Sequence, residues 1–308
     1  MSVSYRYVFG PVPSRRFGRS LGVDLVPAKT CTFDCLYCEV GPTTILTMER
    51  REYVPMVEVL RELREWMAAG GDTDFVTVAG SGEPTLHTGF GAVFDWVAAE
   101  TCFRSALLTN GTLLHMPDVR AAACRASVVK ATLSAWDEKS FRAWHRPHPA
   151  VMFAQLLEGL RALRKEYAGE LWIEVFLMPD FNANPGHVRR IADLVNPLTP
   201  ARVHLNTVVR PPAHPGATAC TAGELESVAG LFVPRAEIAA SFQNRAAPHG
   251  YGRDAILAML RRRPCTESDL IQVAGLAAAE ARRMLDELEV AGVIRAETHE
   301  GARYFTAL

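Results

Sequence analysis

Three cysteines, Cys31, Cys35 and Cys38, stand at the spacing C-x-x-x-C-x-x-C in the segment Thr30-Cys31-Thr32-Phe33-Asp34-Cys35-Leu36-Tyr37-Cys38. Thiolates this close together are soft ligands that converge on one metal centre. A structural zinc site closes with four ligands, and no fourth Cys or His lies near Cys38, so zinc would need a distant partner. A cubic 4Fe-4S cluster held by three thiolates keeps one iron open to another molecule, and that vacancy is where chemistry would occur. The plain alternatives are a zinc knuckle or a trio of buried thiols. The chain has seven cysteines. An odd number with three clustered reads as a metal site in a reducing compartment rather than as a disulfide framework.

The elements that must position these thiols can be read from short β-branched, apolar runs at 21–26, 75–79, 105–109, 128–134, 171–178 and 203–209, each with the length and composition of a strand. Helical patterns fall between them at 57–69, 92–99, 153–167 and 185–195, with another at 222–232. In the first of these, Val57, Leu60, Leu63 and Met67 make the expected buried face, and Gly70-Gly71 stops the helix. Strands alternating with helices imply parallel pairing through right-handed crossovers. Six such units are fewer than eight, so the fold class expected is α/β, a partial six-unit parallel β/α barrel. After the sixth strand, Arg210-Pro-Pro-Ala-His-Pro-Gly must be loop. A boundary is expected at 244–250, dividing the chain into 1–243 and 244–308. The second part reads as helices at 253–262, 267–273 and 277–291, then a hairpin of 293–297 and 302–306, the order of a winged helix-turn-helix.

The 308 residues are 49% apolar and 22% charged, a globular composition that excludes disordered and low-complexity classes. A net charge of -1 carries no overall footprint for nucleic acid or an anionic membrane. No uncharged run reaches the roughly 18 apolar residues of a membrane span, and the first residues lack the apolar centre of a signal peptide, so a cytoplasmic location without membrane partners is expected. Over residues 250–308, eight Arg face nine Asp and Glu. The third helix of that segment carries Asp286, Glu287 and Glu289 beside Arg282 and Arg283, which disfavours reading DNA.

The cysteine loop, with aromatic Tyr37 before its last cysteine, resembles the signature loop of radical S-adenosylmethionine (SAM) enzymes. Gly80-Ser81-Gly82-Glu83-Pro84, after the second strand, resembles the family motif whose backbone receives the amino group of SAM, with Ser81 in place of its first glycine. Thr109-Asn110-Gly111 follows the third strand, and Thr132-Leu133-Ser134 ends the fourth, where a polar side chain typically meets the ribose or carboxylate. All follow C-terminal ends of parallel strands, the edge at which α/β barrels build active sites. The resemblance covers roughly residues 10–210. It implies a 4Fe-4S cluster on Cys31, Cys35 and Cys38, and SAM bound by Tyr37, Gly82, Glu83, Asn110 and Ser134. It also implies an electron donor such as flavodoxin or ferredoxin, and reductive cleavage of SAM to a deoxyadenosyl radical that abstracts a hydrogen atom from a substrate.

The stretch Gly10-Pro-Val-Pro-Ser-Arg-Arg-Phe-Gly-Arg-Ser-Leu-Gly and His145-Arg146-Pro147 resemble a subgroup related to the wyosine tRNA-modifying radical SAM enzymes. That relation points to an RNA nucleoside as substrate, with a peptide, a protein or a small metabolite as alternatives. Cys102, Cys124 and Cys265, like Cys220, are scattered and lack the local spacing of a second cluster. Arg15, Arg16 and Arg19 form a basic knot that could take a phosphate or carboxylate, or simply salt-bridge at the barrel bottom. His145, Arg146, His148, Asn206 and Arg210 are further polar candidates. Glu174 and Cys220 are the candidate catalytic residues, the first as an inward-pointing carboxylate and the second as a hydrogen-atom donor. A reading of another class is an iron-sulfur redox sensor whose winged helix binds DNA without cleaving SAM.

Overall fold

A computed structural model describes residues 5–14, 16–239, 253–274, 276–299 and 301–308. The chain runs β1 (Val8–Ser14), β2 (Gly18–Val23), β3 (Thr30–Cys31), β4 (Ile45–Leu46), α1 (Met56–Ala68) and β5 (Phe75–Val78). It continues through α2 (Gly91–Glu100), β6 (Arg104–Thr109), α3 (Pro117–Ala123), β7 (Val128–Thr132), α4 (Glu138–His145), α5 (Phe153–Glu166) and β8 (Glu170–Phe176). Then come α6 (Pro185–Val195), β9 (Arg202–Asn206), α7 (Ala222–Ala229) and β10 (Glu237–Ile238). The C-terminal part is α8 (Arg253–Leu260), β11 (Cys265–Thr266), α9 (Glu267–Ala274), α10 (Ala278–Val290), β12 (Ile294–His299) and β13 (Ala302–Ala307).

All six expected strands form, as β2, β5, β6, β7, β8 and β9, and they pair in that order in parallel. Two more strands widen the sheet to eight. β10 adds in parallel beside β9, and β1 adds antiparallel beside β2. β1 occupies part of the stretch read as a basic approach to the cysteine loop. Arg19 leaves the site altogether, reaching Asp72 at 2.6 Å and Asp74 at 3.0 Å on the surface. Arg15 and the expected boundary at 244–250 lie outside the described residues.

Parallel strands covered on both faces are apolar along their length, and all four residues of β5 are buried. At the N-terminal end of the strands Phe17 stacks on Trp172, ring centroids 5.0 Å apart, and leans on Phe75 at 4.9 Å. With Ala106 and Val128 these rings close the floor at the N-terminal ends. No helix among the described residues is long and apolar enough to cross a membrane.

The buried face of α1 differs from its sequence pattern. Val59, Leu63 and Trp66 face the core together with Glu62, whereas Val57 is 71% exposed. The reason is β1: the Glu62 carboxylate accepts from the backbone N–H groups of Arg6 at 2.9 Å, Tyr7 at 2.8 Å and Val8 at 3.2 Å. A carboxylate with three N–H donors is stable where an unpaired one is not.

The C-terminal part has its own core of Ile256, Leu260, Leu270, Leu285, Leu288 and Phe305 and a three-stranded sheet ordered β11-β13-β12. Val12 of β1 packs against that core. Arg262 donates to Asp24 at 3.1 Å and to the Arg6 carbonyl at 2.9 Å, and the Tyr304 hydroxyl donates to the Val209 carbonyl at 2.9 Å.

Glu62→Leu should lower barrel stability by about 2 kcal/mol, because it leaves buried N–H groups without an acceptor. Segment-resolved hydrogen exchange should show the amides of Arg6, Tyr7 and Val8 exchanging faster, and unchanged exchange there would remove the clamp assignment.

Candidate functional site

The cysteine loop leaves the C-terminal end of β2 and has little regular structure of its own, so its shape comes from its neighbours. On one side the end of α4 holds it. Asp34 N donates to the His145 carbonyl at 3.1 Å, Leu36 N to that of Trp144 at 2.9 Å, and His148 N to that of Thr32 at 2.8 Å. α4 starts at a capping box between Asp137 and Ser140 and stops where Arg146 turns left-handed at φ 44°. His145, Arg146 and His148 therefore build the loop's frame. On the other side Lys29 N donates to Ser81 O at 2.7 Å, and Glu83 N to Thr30 O at 3.1 Å.

Each thiol has a nitrogen-bearing side chain beside it. Lys29, at a left-handed φ of 59°, brings its Nζ to 3.1 Å from Cys38 Sγ. Asn110 Nδ2 lies 3.7 Å from Cys31 Sγ, and His145 Nδ1 lies 3.6 Å from Cys35 Sγ. The Tyr37 hydroxyl is 3.0 Å from the same His145 nitrogen, and its ring stacks on Phe176 at 4.0 Å. Burial and then Glu83 push the Cys31 thiol up to about 12; burial and then the other two cysteines push Cys35 well up. Burial pushes His145 down to about 3, so the ring beside Cys35 is neutral.

The other landmarks arrive at the same edge. Gly82 follows β5, and a Cβ there would run into the Thr30 carbonyl, so only glycine lets the two backbones approach. Glu83 is committed to positioning: its carboxylate accepts from Thr85 N and Oγ1, from Thr109 Oγ1 at 2.7 Å and from Asn110 N at 2.8 Å. Burial raises its pKa against the pull of those donors. Asn110 then spans to Thr32 Oγ1 at 2.7 Å. Ser81 donates its hydroxyl to Asp24 at 2.7 Å, which gives a use to the serine standing where the resemblance expects glycine. Ser134 is fully buried, and its Oγ accepts from Phe176 N at 2.8 Å, pinning the end of β7 to β8.

A cavity of about 380 Å³ adjoins the cluster loop, lined on the barrel side by Tyr37, Cys38, Lys130, Glu174, Phe176 and Asn206 among others. A larger hollow of about 470 Å³, lined by Tyr5, Arg6, Tyr7 and Asp24 and by Leu257, Ala258 and Arg262 of the C-terminal part, holds none of the three cysteines. Within the smaller cavity Glu174 is 2.6 Å from both Arg16 and Lys130, and Asn206 Nδ2 donates to it at 3.3 Å. Burial opposes its ionisation, but Arg16 and Lys130 outweigh burial and hold it at about 2. Arg210 is 98% buried and 3.0 Å from Glu39. Cys220 does not line this cavity. It packs in the main core, its N–H donating to Thr207 Oγ1 at 2.7 Å, and burial pushes its thiol up to about 11. Cys102 and Cys124 lie just after α2 and α3, and Cys265 lies in β11 within the C-terminal core.

The family model described as the radical SAM superfamily matches residues 25–195. The chain belongs to the radical SAM superfamily. A second model, the DprA winged helix domain, matches 241–298. The chain is 33% identical over 225 residues to a Brachyspira hyodysenteriae protein named GTPase Obg, covering 73% of this chain and 33% of that one. It is 33% identical over 207 residues to a UPF0026 protein of Methanocaldococcus jannaschii, with 67% and 64% covered. A UPF0026 protein of Synechocystis is 32% identical over 212 residues, with 68% and 78% covered. The chain thus spans a third of the length of the first relative and less than two thirds of the second. Among solved structures, a radical SAM methyltransferase from Sphaerobacter thermophilus shares the fold with a TM-score of 0.53 at 18% identity, over 71% of this chain and 65% of that one.

Radical SAM proteins hold a 4Fe-4S cluster and SAM, and the donor set here fits. Three free, part-buried thiols lie on one short loop. As thiolates their charges would repel in a low dielectric, a cost that only bound metal offsets. Among the described residues no three His, Cys, Asp or Glu side chains close around a single ion; a cube of four irons takes its thiolates further apart than one zinc does. Several residues at the site escape the sequence reading. Lys130 had a visible sign, a lone charge inside an otherwise apolar strand. Lys29 had only its nearness to Cys31. Arg262 and Arg263, which line the same cavity from the winged helix, had none.

Lys29→Met should make the cluster's reduction potential more negative by about 60 mV, the one-electron equivalent of one charge-assisted hydrogen bond, as read by redox titration of the cluster's electron paramagnetic resonance signal. No shift would show that Lys29 Nζ does not donate to the Cys38 sulfur in the loaded protein.

Because Glu174 is held below its unfolded value of about 4.3, it contributes stability above that pH, and the contribution disappears as pH falls through about 2. Denaturation midpoints of wild type and Glu174→Gln should therefore be well separated at pH 7 and draw together as the pH falls from about 4 to about 2. A gap constant with pH would refute the ion-pair account.

Proposed function

We propose that the chain is a radical SAM enzyme whose substrate occupies the cavity beside Cys38, bounded by Tyr37, Lys130, Glu174 and Asn206. One observation carries this reading. The cysteine loop and the SAM-side landmarks, far apart in sequence, are tied together at one sheet edge, where Asn110 reaches Cys31 Sγ and Glu83 N donates to Thr30 O. A redox sensor needs a cluster but has no use for that second set.

The cluster and SAM, when bound, supply a one-electron cleavage that yields a deoxyadenosyl radical able to take a hydrogen atom from carbon. Cys31, Cys35 and Cys38 would hold the cluster. The glycine at 82 exposes backbone for the amino group of SAM, and Glu83, with its oxygens taken up by Thr85, Thr109 and Asn110, keeps that loop in place. Tyr37 stacked on Phe176 and the rings of Phe17, Phe75 and Trp172 exclude water from the interior, where a radical would otherwise react with whatever is close. Glu174 offers a fixed carboxylate to the substrate. A donor such as flavodoxin or ferredoxin would deliver the electron.

The regulator reading loses further ground at α10. Arg282 lies 3.1 Å from Glu267, and Arg283 lies 4.0 Å from Glu287. Nearby, Arg303 is 2.6 Å from Glu289. The carboxylates beside these arginines weaken the positive field that a nucleic-acid backbone would meet.

Anaerobic reconstitution with iron and sulfide, then dithionite and SAM, should give deoxyadenosine detected by chromatography. Cys35→Ala should lose both iron and deoxyadenosine, and Cys102→Ala, at an exposed position, should keep both. A cluster that forms and never cleaves SAM would transfer the assignment to the redox sensor.

A further inference from the structure

The cavity is built from two domains. Barrel residues line most of it, while Met259, Arg262 and Arg263 line the rest from the end of α8 and the turn after it. Positive groups outnumber negative ones around it: Arg16, Lys130, Arg210, Arg262 and Arg263 against Glu39 and Glu174. Most are matched. Glu174 takes Arg16 and Lys130, Glu39 takes Arg210, and Arg262 reaches out of the cavity to Asp24.

Arg263 is the exception. Among the described residues its guanidinium has no carboxylate at ion-pairing distance, and its contact is with the Met259 sulfur at 4.0 Å. Arg16 spends one terminal nitrogen on Glu174, and its Nε is buried without a hydrogen-bond partner. A buried guanidinium N–H without an acceptor is costly, unless a ligand supplies one. Asn206 shows the complementary lack: its Nδ2 donates to Glu174, and its buried Oδ1 receives nothing. The cavity therefore presents spare donors on two arginines and a spare acceptor on one amide, with Phe9, Val12 and Leu108 between for a carbon skeleton.

Resting on the radical SAM reading, we infer that Arg263 and Arg16 bind the carboxylate or phosphate of a small-molecule substrate that also carries a hydroxyl or amino donor for Asn206. The winged helix is then a wall of the active site. A cavity of about 380 Å³ suits a small molecule. Arg262 ties down one side of it, bonded to Asp24 and the Arg6 carbonyl and lying 4.4 Å over the Phe9 ring.

The test is arginine-specific labelling of the full reconstituted chain with phenylglyoxal, followed by peptide mass spectrometry. Inorganic phosphate or succinate should slow labelling of Arg263 by about fivefold and leave Arg261 unaffected, and sodium chloride at equal ionic strength should do neither. In calorimetry, phosphate or succinate should bind about tenfold more weakly to Arg263→Gln than to wild type, with Arg263→Lys between. Labelling unaffected by both small anions, protection by a uridine oligonucleotide alone, or a folded Arg263→Gln chain that binds like wild type would overturn the inference. Deoxyadenosine formation is read separately, so a failure of anion binding and a failure of the radical reading are told apart.

Discussion

Three part-buried thiols on one short loop become an electrostatic liability as thiolates, and the structure around them fixes where those charges would stand. A loop with so little regular structure cannot hold three sulfurs at set positions through its own propensities. It is instead fixed from outside by backbone hydrogen bonds from the end of α4 and from the loop after β5. α4 follows β7 and the other loop follows β5, so both contacts need those strands in the same sheet as β2, from which the cysteine loop leaves. The cysteine geometry thus depends on the sheet order, and the sheet order on the apolar strands beneath it.

The same logic explains why so many polar side chains near the site are positioning groups. Glu83 has four donors and Asp24 three, and both connect loops rather than face the cavity. Buried carboxylates persist only with such company. Where a buried carboxylate meets cations and the cavity at once, as Glu174 does, the balance changes. Its charge is held by Arg16 and Lys130, and it remains positioned against whatever occupies the space beside it.

The strands and the cysteine loop are legible in sequence because their signals are local: β-branched runs, a three-thiol spacing, a glycine before Glu83. What escapes is pairing between residues far apart along the chain. A helical pattern alone puts Val57 on the buried face of α1, because it cannot see the N–H groups of Arg6, Tyr7 and Val8, at and just before the start of β1, that draw Glu62 inward. It likewise cannot show that Ser134 is occupied by Phe176 N, or that Arg16 lies against Glu174. Cys220 illustrates the opposite error, a reactive residue type whose surroundings are ordinary core.

The winged helix adds a wall to a half-open barrel. An eight-stranded sheet with β1 and β10 at its edges leaves a flank uncovered, and radical chemistry tolerates no such opening to water. α8 packs on β1, and Val12 of that strand joins the winged-helix core. Arg262 adds a directed link, since the Asp24 carboxylate it contacts also accepts from Ser81 N and Oγ, beside Gly82. The serine that departs from the family's glycine thus joins the SAM-side loop to the domain covering the cavity. Displacing the winged helix would remove Arg262 from Asp24 and expose the cavity in the same movement. One carboxylate, Asp24, thus joins the loop before Gly82 to the winged helix.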